Sequence, residues 1–245
     1  MMSEDQSEYT YSIEHSPIYS ALNVELESGQ SLIVESSAMA GMDRSLQMKS
    51  SLRGGIGKSI GRLFSGESLF VSTFTASQRK GNLYLCPSTP GDIVHYYLTG
   101  DTRLIVQSSG FLACSPTVET ETQFEGWRGF FSGESLFLIR AVGEGDFWFS
   151  SYGAIIEVPV SGEYVVDTGY IVAFEDTLDY NVELIGGLSF KNLRTGIFGG
   201  EGLVCHFRGE GRVWIQSRKL SQLINFLNPF RPVTSSSNDD GDGDD

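Results

Sequence analysis

The carboxylates most suggestive of chemistry lie in a heptapeptide that recurs along the chain. Phe-Ser-Gly-Glu-Ser-Leu-Phe occupies residues 64–70 and 131–137, and a weaker copy occupies 198–204. One glutamate per copy could bring three carboxylates together as acid and base groups. We favour the alternative that the glycine allows a bend while the glutamate accepts a hydrogen bond from backbone or arginine. The turn residues concerned are Gly66, Glu67, Gly133, Glu134, Gly200 and Glu201.

A basic, glycine-rich segment over residues 54–63 contains Gly-Lys-Ser at 57–59, a triplet found in phosphate-binding loops. Such a loop needs a glycine five residues before the Gly-Lys pair, and Leu52 occupies that position. We therefore interpret the segment as a connecting loop that presents positive charge to a partner or a membrane surface. The candidate binding residues are Arg53, Lys58 and Arg62.

Known catalytic and metal-binding patterns are missing from the sequence. The three histidines have no acid or base partner at any motif spacing, and the three cysteines form no Cys-x-x-Cys pair. Cys205 precedes His206, but neighbouring residues of a strand point to opposite faces. We expect no enzyme activity, catalytic residue, cofactor, metal site or disulfide, and we expect a reducing compartment.

Charge and hydropathy narrow the class of protein further. The 245 residues carry 17 basic and 31 acidic side chains, for a net charge of −14. An acidic surface repels phosphates, so nucleic-acid binding is disfavoured. The first eight residues include acids and no apolar run, unlike a secretory signal or a mitochondrial presequence. No apolar stretch approaches the length that spans a bilayer, so we expect a cytoplasmic protein.

Equal spacing of the heptapeptide predicts an internal repeat. Phe64, Phe131 and Phe198 are 67 residues apart, and each copy is followed by a strand, a glycine turn and a second strand. An apolar triplet precedes each copy, at 32–34, 104–106 and, more distantly, 171–173. These patterns predict an all-β fold made of three tandem β-sandwich-like repeats of about 67 residues in a pseudo-threefold arrangement.

Domain boundaries follow from the repeat. We predict a flexible N-terminus over 1–10 and a triplicated β domain over 11–231, with units near 11–86, 87–152 and 153–217. An amphipathic helix is expected over 218–230, and a disordered acidic tail over 232–245. That helix could pack on its own core, dock a partner subunit or lie on a membrane surface.

Several motifs together resemble the altered-inheritance-of-mitochondria family. They are Gly-Gly-x-Gly-Lys-Ser from Gly54, the heptapeptide copies, and the segments 90–93, 151–153 and 209–218. The likeness spans roughly residues 11–218 and is to the prokaryotic branch, because the chain lacks a presequence. The resemblance implies β repeats like those of the tryptophan RNA-binding attenuation protein, a trimeric assembly and no known enzyme activity.

The function expected from these observations is that of a non-enzymatic interaction or scaffold protein, with action at a membrane surface as one version. The alternative is a small-ligand- or RNA-binding module, which rests on fold analogy alone. We expect a homo-oligomer, with a trimer favoured by the resemblance, and an additional protein or membrane partner.

Overall fold

The computed structural model describes residues 6–53, 69–123, 138–184 and 203–231. Within these residues almost all regular structure is β-strand, and one short α-helix follows the last strand. This confirms the predicted all-β class with a short C-terminal helix.

The strands and the helix occur in the following order along the chain. The strands up to the first gap and just beyond it are β1 (Thr10–Glu14), β2 (Ala21–Leu26), β3 (Ser31–Glu35), β4 (Met39–Met42), β5 (Leu46–Arg53), β6 (Leu69–Ala76) and β7 (Gly81–Leu85). Then come β8 (Ile93–Thr99), β9 (Leu104–Gln107), β10 (Phe111–Cys114), β11 (Glu119–Gln123), β12 (Leu138–Val142) and β13 (Glu144–Ser150). The chain closes with β14 (Ile155–Asp167), β15 (Ile171–Glu175), β16 (Asp179–Leu184), β17 (Leu203–Gln216) and α1 (Leu220–Leu227).

The strands form three sheets with antiparallel neighbours. The first sheet has the order β1-β2-β7-β4, and the second has the order β5-β6-β3-β10-β13-β8. The third has the order β11-β12-β9-β15-β17-β14, with β16 pairing β17 beside this path. The second and third sheets therefore each join strands that are distant in sequence, through the pairs β3–β10 and β9–β15.

Burial along the strands follows the sequence pattern. In β2, Leu22, Val24 and Leu26 are fully buried and alternate with polar residues, as expected for a strand with one solvated face. The apolar triplet Leu32-Ile33-Val34 of β3 is buried at all three positions, so this strand is covered on both faces. The large aromatic side chains Trp148 and Trp214 anchor two different core clusters.

Three strand pairs share an irregular register. The pairing of β4 with β7 skips one residue after Met39, that of β10 with β13 skips one after Phe111, and that of β15 with β17 skips one after Ile171. Each strand thus carries a one-residue bulge at its second position, which increases local twist.

Candidate functional site

Most of the residues predicted to form sites lie outside the described residues. These are Lys58, Arg62 and the six turn residues Gly66, Glu67, Gly133, Glu134, Gly200 and Glu201. Arg53 is described as the last residue of β5, where its backbone is opposite Leu69. The structure brings together two polar groups that no sequence motif links.

The first of these groups is a pair between His95 and Asp146. His95 Nε2 lies 2.6 Å from Asp146 Oδ1, and the Asp146 residue is fully buried. The other carboxylate oxygen, Oδ2, accepts a hydrogen bond from the backbone N–H of Glu8 at 3.0 Å. Ser115 Oγ accepts a hydrogen bond from the Asp146 backbone N–H at 2.9 Å. The carboxylate therefore fastens the N-terminal segment to β8 and β13.

Aromatic rings enclose this pair. The His95 ring centroid lies 5.1 Å from that of Trp148 and 4.8 Å from that of Tyr11. Tyr9 packs edge-on against Trp148 and donates its hydroxyl hydrogen to the carbonyl of Ser31 at 2.6 Å. Burial raises the pKa of Tyr9 to about 12, so its hydroxyl stays protonated and acts as a donor. Tyr9 and Trp148 belong to one buried apolar cluster, and Tyr11 packs against it.

The second polar group joins Glu175, Arg212 and Tyr96. Arg212 Nη2 and Nε donate to Glu175 Oε1 at 2.6 and 3.0 Å, and its backbone N–H donates to Oε2 at 2.9 Å. The Tyr96 hydroxyl donates to the same Oε1 at 3.0 Å. The guanidinium also lies over the rings of Tyr96 and Trp214 at 5.2 and 5.0 Å.

The electrostatics of this second group are those of a satisfied ion pair. Burial lowers the pKa of Arg212, but hydrogen bonding and attraction to Glu175 outweigh that effect and raise it overall. Burial and the neighbouring Glu175 charge raise the pKa of Tyr96. All charges are therefore matched by partners, which suits a structural role better than proton transfer at neutral pH. In the described ranges, no three His, Cys, Asp or Glu side chains converge as metal ligands.

The C-terminal segment presents five large exposed apolar side chains. Leu223, Ile224 and Leu227 are 37–47 % exposed, and Phe226 and Phe230 are 67 % and 72 % exposed. We call these five side chains the apolar face of α1, and they include Phe230, which lies in the short 3₁₀ turn directly after the helix. No residue of α1 is buried. The segment therefore presents an apolar surface that the described part of the chain leaves uncovered.

The sequence explains the amphipathic pattern of α1 and its end. Apolar residues recur at the three- and four-residue spacing of a helix, and Pro229 ends it because proline cannot donate the next backbone hydrogen bond. Lys219 precedes the helix and binds both carboxylate oxygens of Asp167, at 2.8 and 3.1 Å. The Tyr170 hydroxyl donates to Gln222 Oε1 at 3.3 Å. These contacts tie the polar side of α1 to the sheet.

The three cysteines differ in their exposure to solvent. Cys114 and Cys205 are buried, and Cys86 is exposed. Burial raises the pKa of Cys205 to about 12, which removes the reactive thiolate at neutral pH. We therefore expect a thiol reagent to label Cys86 rapidly in the native protein and all three cysteines after unfolding in urea. Rapid native labelling of Cys205, read by mass spectrometry, would contradict its placement.

No described helix is long and apolar enough to cross a bilayer. The fold is that of an all-β protein in which described buried charges join strands to one another and hold the N-terminal segment. Comparison with known sequences gives the family. Residues 11–218 match the family described as mitochondrial biogenesis AIM24, and the chain belongs to that family.

Individual relatives are bacterial. The chain is 29 % identical over 235 residues to the uncharacterized protein M6_Spy0233 of Streptococcus pyogenes serotype M6, and the match covers 92 % of each protein. It is also similar to the crystal structure of protein SPYM3_0169 from Streptococcus pyogenes, with a TM-score of 0.73 and 28 % identity. That match covers 91 % of this chain and all of the other. The predicted family and its prokaryotic character are confirmed.

Proposed function

We propose that the protein is a non-enzymatic interaction protein that docks on a membrane surface through the apolar face of α1. The observation that carries this proposal is the exposure of the two phenylalanines, 67 % at Phe226 and 72 % at Phe230, at the end of an amphipathic helix. Exposed apolar patches of this kind mark surfaces that bind a partner or a membrane. The free thiols support a reducing, cytoplasmic compartment as part of the same proposal.

A lipid interface is the occupant that the charges of this segment favour. Residues 220–230 contain no charged side chain, whereas Arg218, Lys219 and Arg231 flank them. The apolar side chains can therefore enter the acyl boundary while the Ser, Gln and Asn side chains remain at the level of the headgroups. Binding would depend on apolar area and little on lipid charge, because the flanking basic side chains attract anionic lipid while the net charge of −14 repels it.

The strength of such docking depends on copy number. Burying one leucine or phenylalanine side chain fully contributes roughly 1.5–3 kcal/mol, and the five side chains here are already partly covered. One short helix therefore gives weak, reversible attachment. A homo-oligomer, with a trimer favoured by the family resemblance, would place several copies on one surface and increase the overall affinity.

A body of three tandem copies belongs to this proposal. What supports it is that strand pairs recur in the same order: β2–β7, β7–β4, β3–β6 and β6–β5 correspond to β8–β13, β13–β10, β9–β12 and β12–β11. The third set is β14–β17, β17–β15 and β17–β16. In this third set, β14 and β17 are long strands that each correspond to two separate strands of the other sets. Gly162 and Gly209, both with positive φ, lie opposite each other at the point where those separate strands would be divided.

Vesicle co-sedimentation tests membrane docking. We expect Phe226→Ser with Phe230→Ser to weaken binding to phosphatidylcholine vesicles about tenfold or more. Ile18→Ser with Tyr19→Ser is the matched control, because those side chains are 55 % and 72 % exposed elsewhere on the surface. This control should bind like the unmodified protein, and added phosphatidylserine or salt should change binding little.

A third variant tests whether the helix or the basic segment binds the membrane. If Arg53→Ala, Lys58→Ala and Arg62→Ala abolish binding while the phenylalanine changes do not, docking occurs through charge at that segment and the proposed role of α1 is wrong. Failure of the unmodified protein to sediment with any vesicle would contradict membrane docking altogether. A gel shift with RNA that strengthens as salt falls would support the alternative binding module.

A further inference from the structure

Two strand pairs inside the chain share one geometry. In the first, β3 meets β10 with Val34 opposite Ala113 and Ile33 opposite Cys114. In the second, β9 meets β15 with Val106 opposite Ala173. We call these pairs seams, because each joins two smaller groups of strands into one continuous sheet, three with three in the second sheet and three with four in the third. A seam needs one strand of the β3 type and one bulged strand of the β10 type.

The chain has one further strand of each type without a seam partner among the described residues. β4 carries the same bulge as β10 and β15, and it ends the first sheet. Residues 164–167 of β14 pair with β17 as β3 pairs with β6 and β9 with β12. We call β4 the leading edge and residues 164–167 the trailing edge.

At the leading edge, one side chain is exposed that a pairing strand covers in both internal seams. Met42 follows the bulge of β4 at the position that Cys114 holds in β10 and Phe174 holds in β15. Cys114 and Phe174 are fully buried, whereas Met42 is 41 % exposed. Met42 is more exposed because no described strand pairs with β4 on this side, whereas a pairing strand covers the same position in both seams.

Exposure at the trailing edge follows the same rule. Val165 holds the position of Ile33 in β3 and Ile105 in β9, judged by their partners across the sheet. Ile33 and Ile105 are 7 % and 1 % exposed, whereas Val165 is 50 % exposed. Its neighbour Tyr164 is 37 % exposed, which extends the uncovered apolar surface along the edge.

We propose that the trailing edge of one copy pairs with the leading edge of the next, forming a third seam between chains. The internal register carries over directly. Gly41 takes the place of Ala113 opposite Val166 of the next copy, and Met42 takes the place of Cys114 opposite Val165 of the next copy. A second copy of this chain is the partner because only a strand with this bulge and register repeats both seams.

The seam would complete a sheet. The four strands β1-β2-β7-β4 would continue into residues 164–167 of β14, then β17 and β16 of the next copy. Unpaired strand edges readily bind other strands, so this pairing also removes an aggregation hazard. A head-to-tail contact closes into a ring when its rotation permits. In such a ring, the relation between neighbouring units within one chain would be repeated between neighbouring chains.

Cysteine cross-linking tests the register. Residues directly opposite in antiparallel strands lie about 4.5–5.5 Å apart at Cα, within disulfide range. In a Cys86→Ser background, Met42→Cys with Val165→Cys should form inter-chain disulfides and a ladder on a non-reducing gel. Met42→Cys with Ile156→Cys is the control, since Ile156 lies on the same β14 with similar exposure of 48 %. Equal cross-linking of both pairs would overturn the proposed register.

Light scattering tests the seam without new cysteines. The unmodified protein should be a closed oligomer, Val165→Asp should be monomeric, and Ile156→Asp should remain oligomeric. A monomeric unmodified protein, or an unchanged mass for folded Val165→Asp, would overturn the proposal. The inference goes beyond membrane docking and fails separately from it, because mass and cross-linking are measured without lipid. A Val165→Asp monomer that still sediments weakly with vesicles would leave docking intact.

Discussion

Replacing Glu175 with alanine is expected to lower the free energy of unfolding by about 3–5 kcal/mol. The side chain is 12 % exposed and accepts hydrogen bonds from Arg212 and the Tyr96 hydroxyl. Its removal takes away the carboxylate that lies 2.6 Å from the guanidinium, which is 22 % exposed, whereas the Glu157 carboxylate lies 3.8 Å away. The penalty arises because a desolvated charge has lost its partner. Urea unfolding followed by far-UV circular dichroism measures it.

An exposed ion pair provides the control for this prediction. Glu163 and Arg208 form a contact of 3.0 Å, but their side chains are 72 % and 66 % exposed. We expect Glu163→Ala to change stability by less than about 1 kcal/mol, because water and salt screen exposed pairs. Similar losses for Glu163→Ala and Glu175→Ala would show that burial does not set the strength of these contacts.

Replacing Trp148 with alanine is expected to cost about 3–5 kcal/mol of unfolding free energy. The indole is fully buried, and Tyr9 and Tyr11 pack edge-on against it with ring centroids 5.8 and 5.5 Å away. Alanine would open a cavity beneath the His95–Asp146 pair, and the surrounding sheet strands can close it only in part. Chemical unfolding of the folded variant, followed by far-UV circular dichroism, gives the change.

Phenylalanine substitutions distinguish packing from hydrogen bonding. Trp148 Nε1 has no hydrogen-bond partner among the described residues, whereas Trp214 Nε1 donates to Glu157 at 3.0 Å. Both substitutions to phenylalanine remove similar volume, but only Trp214→Phe breaks a bond, worth roughly 0.5–1.5 kcal/mol. We expect Trp148→Phe to be the milder change. A milder Trp214→Phe would mean that the indole of Trp148 has a polar partner.

The location of strands could be predicted from local sequence, but the correspondence of strands between the repeats could not. The apolar triplet at 32–34 predicts a strand covered on both faces, and it is buried throughout. Residue types alone match the third apolar triplet to residues 171–173. The pairing register instead aligns 164–167 with β3 and places 171–173 in the bulged strand β15. Residue type predicts whether a strand is buried. Which strands hold the same position in different repeats depends instead on the strands with which they pair.

The polar groups depend on long-range register. His95 and Asp146 are separated by 51 positions in the sequence and follow no motif. In the β8–β13 pair, Tyr97 lies opposite Asp146 and His95 lies opposite Trp148, so His95 and Asp146 are diagonal neighbours on one face. A shift of one residue would place them on opposite faces. No short-range pattern in the sequence encodes such a relation.

The sequence by itself determined the all-β class, the short C-terminal helix and the membership of a prokaryotic branch of its family, because these depend on local periodicity, turn residues and shared motifs. Only the tertiary structure decided that β3 meets β10, that β9 meets β15, and that Met42 and Val165 stay exposed. The physical reason is that backbone pairing between distant strands depends on the complementary edge available, and an edge becomes visible only when its neighbours are in place.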